Sequence, residues 1–453
     1  MILEDLGLEL GLGALYFILI LLWLFFYTST KRDPIFKYFR WGMALKLVGG
    51  LSFALIYKFY YGYGDTFTYF TSAQILGQII IDEPIYGLKL VLNITDYVRA
   101  EDYLYNHILV NYFNGADTFT VIKIAGLLSI LGAGLFLPTT LFFSIFAFLG
   151  QWKLYLTFVR RYPHLKFELA LAHFAIPSVI FWGSGVMKDS LVLGFFGFLV
   201  YYIDMVLFQR KYKTIYVAYI LATTYLIYLI KGYVIIAFLP AFLSWIFFAF
   251  NAKIKNVVIR VFIFPSLIVG LSVASFYSYF LIENYDEKYS SENLLNRAYI
   301  YQVNHYSEND IEGTRSGYTF GQYEKTLPGM ATLILPSINV TLFRPYPWEI
   351  KNAVMGITSM ESLFISLFSL FVIFRIKFRR LMRYLGSDSF LIMSIVFTLV
   401  FSFIVGFSSY NFGALARYKI LCLPFYISTL LILTKEDQIR ESLKQFPSRN
   451  TQR

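Results

Sequence analysis

Apolar runs of roughly bilayer length recur along this chain, at residues 10–27, 41–61, 119–137, 138–159, 167–181, 191–208, 216–230, 234–250, 257–280, 354–374, 390–407 and 420–433. About 20 residues of helix cross a hydrocarbon core of ~30 Å. Lipid offers no hydrogen bonds, so the backbone in such a run must satisfy itself, and a continuous apolar run does so as a helix. The expected fold is therefore all-α, a polytopic transmembrane helix bundle. Composition agrees: 58% of the 453 residues are hydrophobic and only 15% are charged, which excludes a soluble domain. The one cysteine, Cys422, lies inside an apolar run, and His107, His164, His173 and His305 are scattered. Neither a disulfide framework nor a metal-ligand spacing is expected from them. The run at 10–27 follows an acidic Glu4-Asp5 start with no basic region, and reads as a retained helix, not a signal peptide.

A net charge of +11 does not call for nucleic acid here, because Lys and Arg collect in the cytoplasmic loops of membrane proteins. Basic clusters at 31–40, 160–166, 210–213, 253–260 and 375–383, with the tail, should share the cytoplasmic side. From 160 onward they alternate with the apolar runs. Between 40 and 160 three runs stand where two crossings are needed, so 119–137, which carries Lys123 and several glycines, is expected to lie at the interface or re-enter. About 11 spanning helices result, with 12 as the alternative, the N-terminus extracytoplasmic and the C-terminus cytoplasmic. The expected divisions are 1–280, a transmembrane bundle with an extracytoplasmic loop at 62–118; 281–352, an extracytoplasmic loop region; 353–434, C-terminal membrane helices; and 435–453, a cytoplasmic tail.

The unusual polar residues then fall on the extracytoplasmic side, although none of them was used to assign it. Residues 177–190 join two apolar runs through Gly183 and Gly185, and place Lys188 and Asp189 where the next helix begins. Charges at such a mouth cost free energy and are usually kept for an ion, a phosphate or a proton, though Asp189 also suits a helix dipole. Asp65 follows Gly62-Tyr63-Gly64 just past a membrane helix and shares helical spacing with Tyr69 and Ser72; the plainer reading is an N-cap. A similar Asp117-Thr118-Phe119-Thr120 recurs later. Lys231 interrupts two apolar runs, and Arg417 enters the last one from the side that basic residues avoid; lipid snorkelling is its plainer role. Arg344, Trp348 and Glu349 stand in a segment stiffened by Pro345 and Pro347. Guanidinium forks suit phosphates and aromatic faces suit sugars, while an aromatic-belt anchor with an internal Arg344–Glu349 pair is the competing reading. Glu361, inside an apolar run, should face a cavity or a partner.

At three of these places the chain resembles the bacterial polytopic membrane proteins of surface-polysaccharide assembly, the GT-C-type glycosyltransferases and the O-antigen and exopolysaccharide polymerases. The places are Gly64-Asp65 to Tyr69, Pro177-Ser178 to Lys188-Asp189-Ser190, and Arg417-Tyr418-Lys419 running into Pro424. The resemblance implies transfer or polymerisation of a sugar from a polyprenyl-phosphate carrier to a glycan acceptor, at the extracytoplasmic face of the inner (plasma) membrane. It assigns catalysis to Asp65, alone or through a divalent metal ion. Binding falls to Lys188, Asp189, Lys231, Arg344, Trp348, Glu349 and Arg417. A transporter or flippase for a lipid-linked or anionic solute would use the same basic residues, and a non-catalytic subunit of an envelope assembly is a third reading. For the topology, cysteine probes near Gly185, Ser307 and Ser409 should label from outside the cell, and probes near Tyr212 and Tyr384 should not. Labelling of Ser307 and Tyr212 from one side would overturn the arrangement.

Overall fold

The computed structural model describes residues 6–94, 116–251, 316–321, 329, 332–376, 380, 381, 384 and 388–445. Among them there is no strand, only an isolated bridge between Gly317 and Asn411. Among the described residues seven helices are long and apolar enough to cross a membrane, or eight if one bent pair is a single span. The chain divides at Ile235 into two compact units. The expected run at 257–280 and most of the polar region at 281–352 lie outside the described residues.

The first unit contains α1 (Leu6–Ser29), α2 (Phe36–Ile56), α3 (Asp65–Asp82), α4 (Pro84–Val91), α5 (Ala116–Leu131), α6 (Phe136–Arg161), α7 (Lys166–Phe174), α8 (Pro177–Trp182) and α9 (Lys188–Ile203). It ends within α10 (Thr214–Asn251). Packing fixes the helix directions. Glu9 of α1 accepts from the Leu137 N–H at the start of α6, and Tyr16 packs on Phe142, so α1 and α6 run parallel. Phe39 of α2 meets Trp152 of α6, and Gly50 meets Ser144, so α2 runs against them. α9 runs parallel to α6: Ser144 bonds the Ser184 carbonyl at one end, and Arg160 and Arg161 hold Asp204 at the other. Tyr202 stacks on Tyr219 while Lys231 reaches Asp189, so the first arm of α10 returns along α9. Successive passes therefore alternate. The basic residues around 31–40, 160–161 and 210–213 gather at one end of the unit, and Lys58, Lys188, Asp189 and Lys231 at the other.

Two expected spans take another form. The run at 167–181 is broken into α7 and α8, because Pro177 excludes the helical conformation at Ile176, which is extended (φ −75°, ψ 120°). The runs at 216–230 and 234–250 are not separated by a loop. They are the arms of α10, whose 38 residues hold one non-helical residue, Lys231 (φ −148°, ψ 73°). The run at 119–137 gives α5, whose 16 residues reach only about 24 Å. It packs antiparallel to α3, with Leu76, Leu90, Phe119 and Ile122 forming a small core. The expected loop at 62–118 is thus largely helical where it is described.

The second unit contains the rest of α10, α11 (Ile334–Phe343), α12 (Ala353–Arg375), α13 (Ser389–Ser409), α14 (Phe412–Tyr418) and α15 (Leu423–Gln445). α14 and α15 meet at a bend of 61° across the short turn Lys419–Leu421, the bent pair that replaces the expected run at 420–433. Thr341 of α11 donates to the Ser402 carbonyl of α13, and Ser369 of α12 pairs with Tyr426 of α15.

The α6–α9 crossing depends on missing side chains. A Cβ on Gly150 would collide with the Gly194 carbonyl, and one on Gly197 with the Gly150 carbonyl. Gly197→Leu should therefore cost about 1–3 kcal/mol through overpacking, read as a lowered thermal midpoint in detergent. Gly11→Ala, with nothing within 4 Å of the new Cβ, is the control. Equal midpoints for the two variants would refute the close crossing.

Candidate functional site

The segment between α8 and α9 is non-helical and buried throughout Gly183–Met187. Buried carbonyls need donors, and four side chains supply them here, three to α8 and one to the segment itself. Lys46 Nζ donates to Val179 O at 2.8 Å, Ser184 Oγ to Ile180 O at 2.6 Å, Ser190 Oγ to Trp182 O at 3.4 Å, and Ser144 Oγ to Ser184 O at 2.9 Å. Gly185 lies so close to the Phe53 ring that any Cβ would clash. Lys46 is 3% exposed in the middle of α2. Sequence reading passed over it, yet a lysine inside an apolar run is itself the signal.

Lys188 and Asp189 then open α9, and each takes a partner of opposite charge. Lys188 Nζ lies 2.9 Å from Asp117 Oδ2 and 3.0 Å from Thr118 Oγ1, with the Tyr69 ring 5.9 Å away. Asp189 Oδ1 lies 2.6 Å from Lys231 Nζ, at the break in α10. The pairs differ in access. The Asp117 and Lys188 side chains are 37% and 17% exposed; those of Asp189 and Lys231 are 3% and 10% exposed. The expected groups Lys188, Asp189 and Lys231 are thus brought together, and Asp117 joins them. The earlier recurrence of the Asp-Thr-Phe-Thr pattern concealed its importance.

Asp65 is exposed and is the first residue of α3; the N-cap is Gly64 (φ 121°), with no side-chain cap bond. The capping reading of Asp65 is therefore replaced. It stands one helical turn before Tyr69, whose ring neighbours Lys188. Asp204 and His173 serve packing, the former on Arg160 and Arg161, the latter by a 2.8 Å contact from Nδ1 to Leu169 O.

In the second unit Arg344 and Glu349 face each other. Arg344 Nε donates to both Glu349 oxygens at 3.1 Å, and the Tyr346 N–H donates to Glu349 at 2.8 Å. Partial burial acts to raise the Glu349 carboxyl, but these bonds outweigh it and hold it below the usual carboxylate range. The Arg344 guanidinium also sits over Tyr318, Tyr346 and Phe412. Trp348 is 80% exposed and stacked on Tyr346, with ring centroids 4.9 Å apart. Arg417 is half-buried in the last turn of α14, its guanidinium 5.9 Å from the Tyr418 ring. Glu361 has the partner expected of it: Lys419 Nζ at 3.7 Å, which also bonds Ser362 Oγ at 2.9 Å. Asp65 and Lys188 belong to the first unit, Arg344, Trp348, Glu349 and Arg417 to the second. Among the described residues no three His, Cys, Asp or Glu side chains group as metal ligands. No family model, curated protein or solved structure matches the chain.

Breaking a buried pair leaves an uncompensated charge, a cost of about 3–5 kcal/mol. Lys231→Met should destabilise the detergent-solubilised protein on that scale, and adding Asp189→Asn should recover much of the loss. A single variant as stable as the parent would show that the pair is solvated.

Proposed function

We propose that this chain is a bacterial inner-membrane glycosyltransferase or polysaccharide polymerase that uses a polyprenyl-phosphate-linked sugar on the extracytoplasmic face. The observation that carries the reading is the accessible Asp117–Lys188 contact, which stands at the end of the first unit opposite its basic residues. A carboxylate and a cation within one hydrogen bond supply both needs of glycosyl transfer. An acceptor hydroxyl oxygen attacks the anomeric carbon and gives its proton to a carboxylate, Asp65 or Asp117. The bond from the anomeric carbon to the carrier phosphate breaks, and the phosphate leaves with the electron pair, stabilised by Lys188. A fixed cation in a site shielded from water acts strongly on that developing charge. Trp348 offers a flat face for a sugar ring, with the Arg344–Glu349 pair bracing the segment that carries it. Arg417 is the second cation of the reading.

Eleven crossings with an external N-terminus belong to the same proposal. The alternation of passes in the first unit supports it, with α7–α8 and the first arm of α10 each counted as one crossing. The broken α14–α15 span with buried Lys419 and Glu361 favours transport of a lipid-linked or anionic solute as the second reading, since transporters place sites at discontinuous helices. Purified protein in liposomes, given a polyprenyl-linked sugar and an acceptor, should form a new glycosidic bond. Lys188→Ala and Asp65→Asn should each reduce the rate by about 100-fold or more, the scale of lost acid–base or charge stabilisation. Arg417→Lys should retain more activity than Arg417→Ala. Movement of the intact donor across the bilayer with no bond formed would replace the enzyme with the transporter.

A further inference from the structure

Asp117 need not be only a catalytic base. Two helix N-termini, those of α5 and α9, meet at Lys188, and helix N-termini with their free N–H groups favour anions. The anion there now is the chain's own Asp117. Its Oδ2 takes the Lys188 ammonium, and its Oδ1 accepts from the Thr118 N–H at 2.9 Å. The Thr118 hydroxyl bonds the same ammonium. Beside this corner stands Tyr69, and one turn to either side of it on α3 lie Thr66 and Ser72. Both are fully buried, and neither hydroxyl has a hydrogen-bond partner. Buried hydroxyls without partners cost free energy unless a ligand or water supplies one. The carboxylate is the most exposed member of the two consecutive ion pairs, so it can leave the ammonium without unpacking a helix.

We propose that the Lys188–Thr118 corner is a phosphate site which Asp117 occupies until a phosphate-bearing ligand displaces it. This rests on the reading that this end of the first unit handles a phosphate-linked lipid. The ligand class is a phosphate monoester or diester, held by the Lys188 ammonium and the Thr118 N–H and hydroxyl. Displacement has a consequence for chemistry: the Asp117 carboxylate loses the Lys188 ammonium as the phosphate arrives, and so becomes a stronger base in the loaded site.

The test is equilibrium binding to the full chain in detergent, with farnesyl phosphate, farnesol and inorganic phosphate as probes and no sugar present. Asp117→Asn removes the competing charge while keeping a residue suited to a helix start. It should bind farnesyl phosphate about two- to five-fold more tightly than the parent, the fold-change equivalent of an exposed ion pair. Lys188→Met should lose most of the binding, Thr118→Val part of it, and farnesol should bind all variants alike. The same gain with inorganic phosphate alone would name a free anion as the ligand; a gain confined to farnesyl phosphate would name a lipid headgroup. Unchanged or weaker binding of both phosphates to Asp117→Asn overturns the proposal, as does undiminished binding to Lys188→Met. Phosphate exchange without any glycosidic bond in the liposome assay would leave this site standing and remove the enzymatic reading.

Discussion

Non-helical backbone buried inside a membrane protein must find every hydrogen bond within the protein, and the segment between α8 and α9 shows what that requires. Ser144 serves the Ser184 carbonyl within it, and Lys46, Ser184 and Ser190 serve the carbonyls of Val179, Ile180 and Trp182 in the short helix that leads into it. Three of the four donors are short hydroxyls that cost little to bury once bonded. The fourth is an ammonium on a long stem, able to reach from α2 to the end of α8. Gly185 admits the Phe53 ring against the bare backbone. This packing places Lys188 and Asp189 at the start of α9, so the two ion pairs inherit their positions from it. Removing the Lys46 donor would strand a carbonyl some distance from any charge of the site, and still move the site.

Adjacent residues with opposite charges cannot both face the same partner. At the start of α9 successive side chains diverge by about 100°, so Lys188 meets α5 and Asp189 meets α10. The four groups Asp117, Lys188, Asp189 and Lys231 sum to zero charge. That neutrality offsets part of the cost of burial, which an isolated charge would bear in full. It also limits the bare site as an anion trap, because each cation already has a carboxylate. A phosphate gains only the difference between itself and the group that it displaces.

Much of the fold was legible in the residues. Apolar length gave the helices, and basic clusters gave their alternation, which the packing of α1, α2, α6 and α9 reproduces in the first unit. What escaped depended on tertiary contact or on local punctuation. Lys231-Gly232-Tyr233 has the polarity of a loop, but α10 continues through it with one distorted residue, because Asp189 compensates the charge there. Pro177 announced a break within 167–181 that length alone concealed. Of the site, Lys188, Asp189 and Lys231 were visible as charges out of place. Their pairing was not, since Asp117 lies 71 residues before Lys188 and no local pattern links them. Arg344 and Glu349 were legible both as ligand groups and as an internal pair, and the segment held by Pro345 and Pro347 turns them toward each other.

One device recurs in both units. Lys231 stands at the break of α10 with Asp189 at 2.6 Å, and Lys419 at the break between α14 and α15 with Glu361 at 3.7 Å. A broken helix leaves carbonyls without their usual N–H partners, and a cation at the break complements that negative end. The carboxylate on the neighbouring helix then cancels the cation. Both pairs are buried, as a structural role requires. Asp117 and Lys188 differ in their access to water: the carboxylate is more than a third exposed. A pair that stays open to water gains little stability from its contact. Such a pair can be opened by a ligand at small cost, and this sets Asp117 and Lys188 apart from the buried pairs Asp189–Lys231 and Glu361–Lys419.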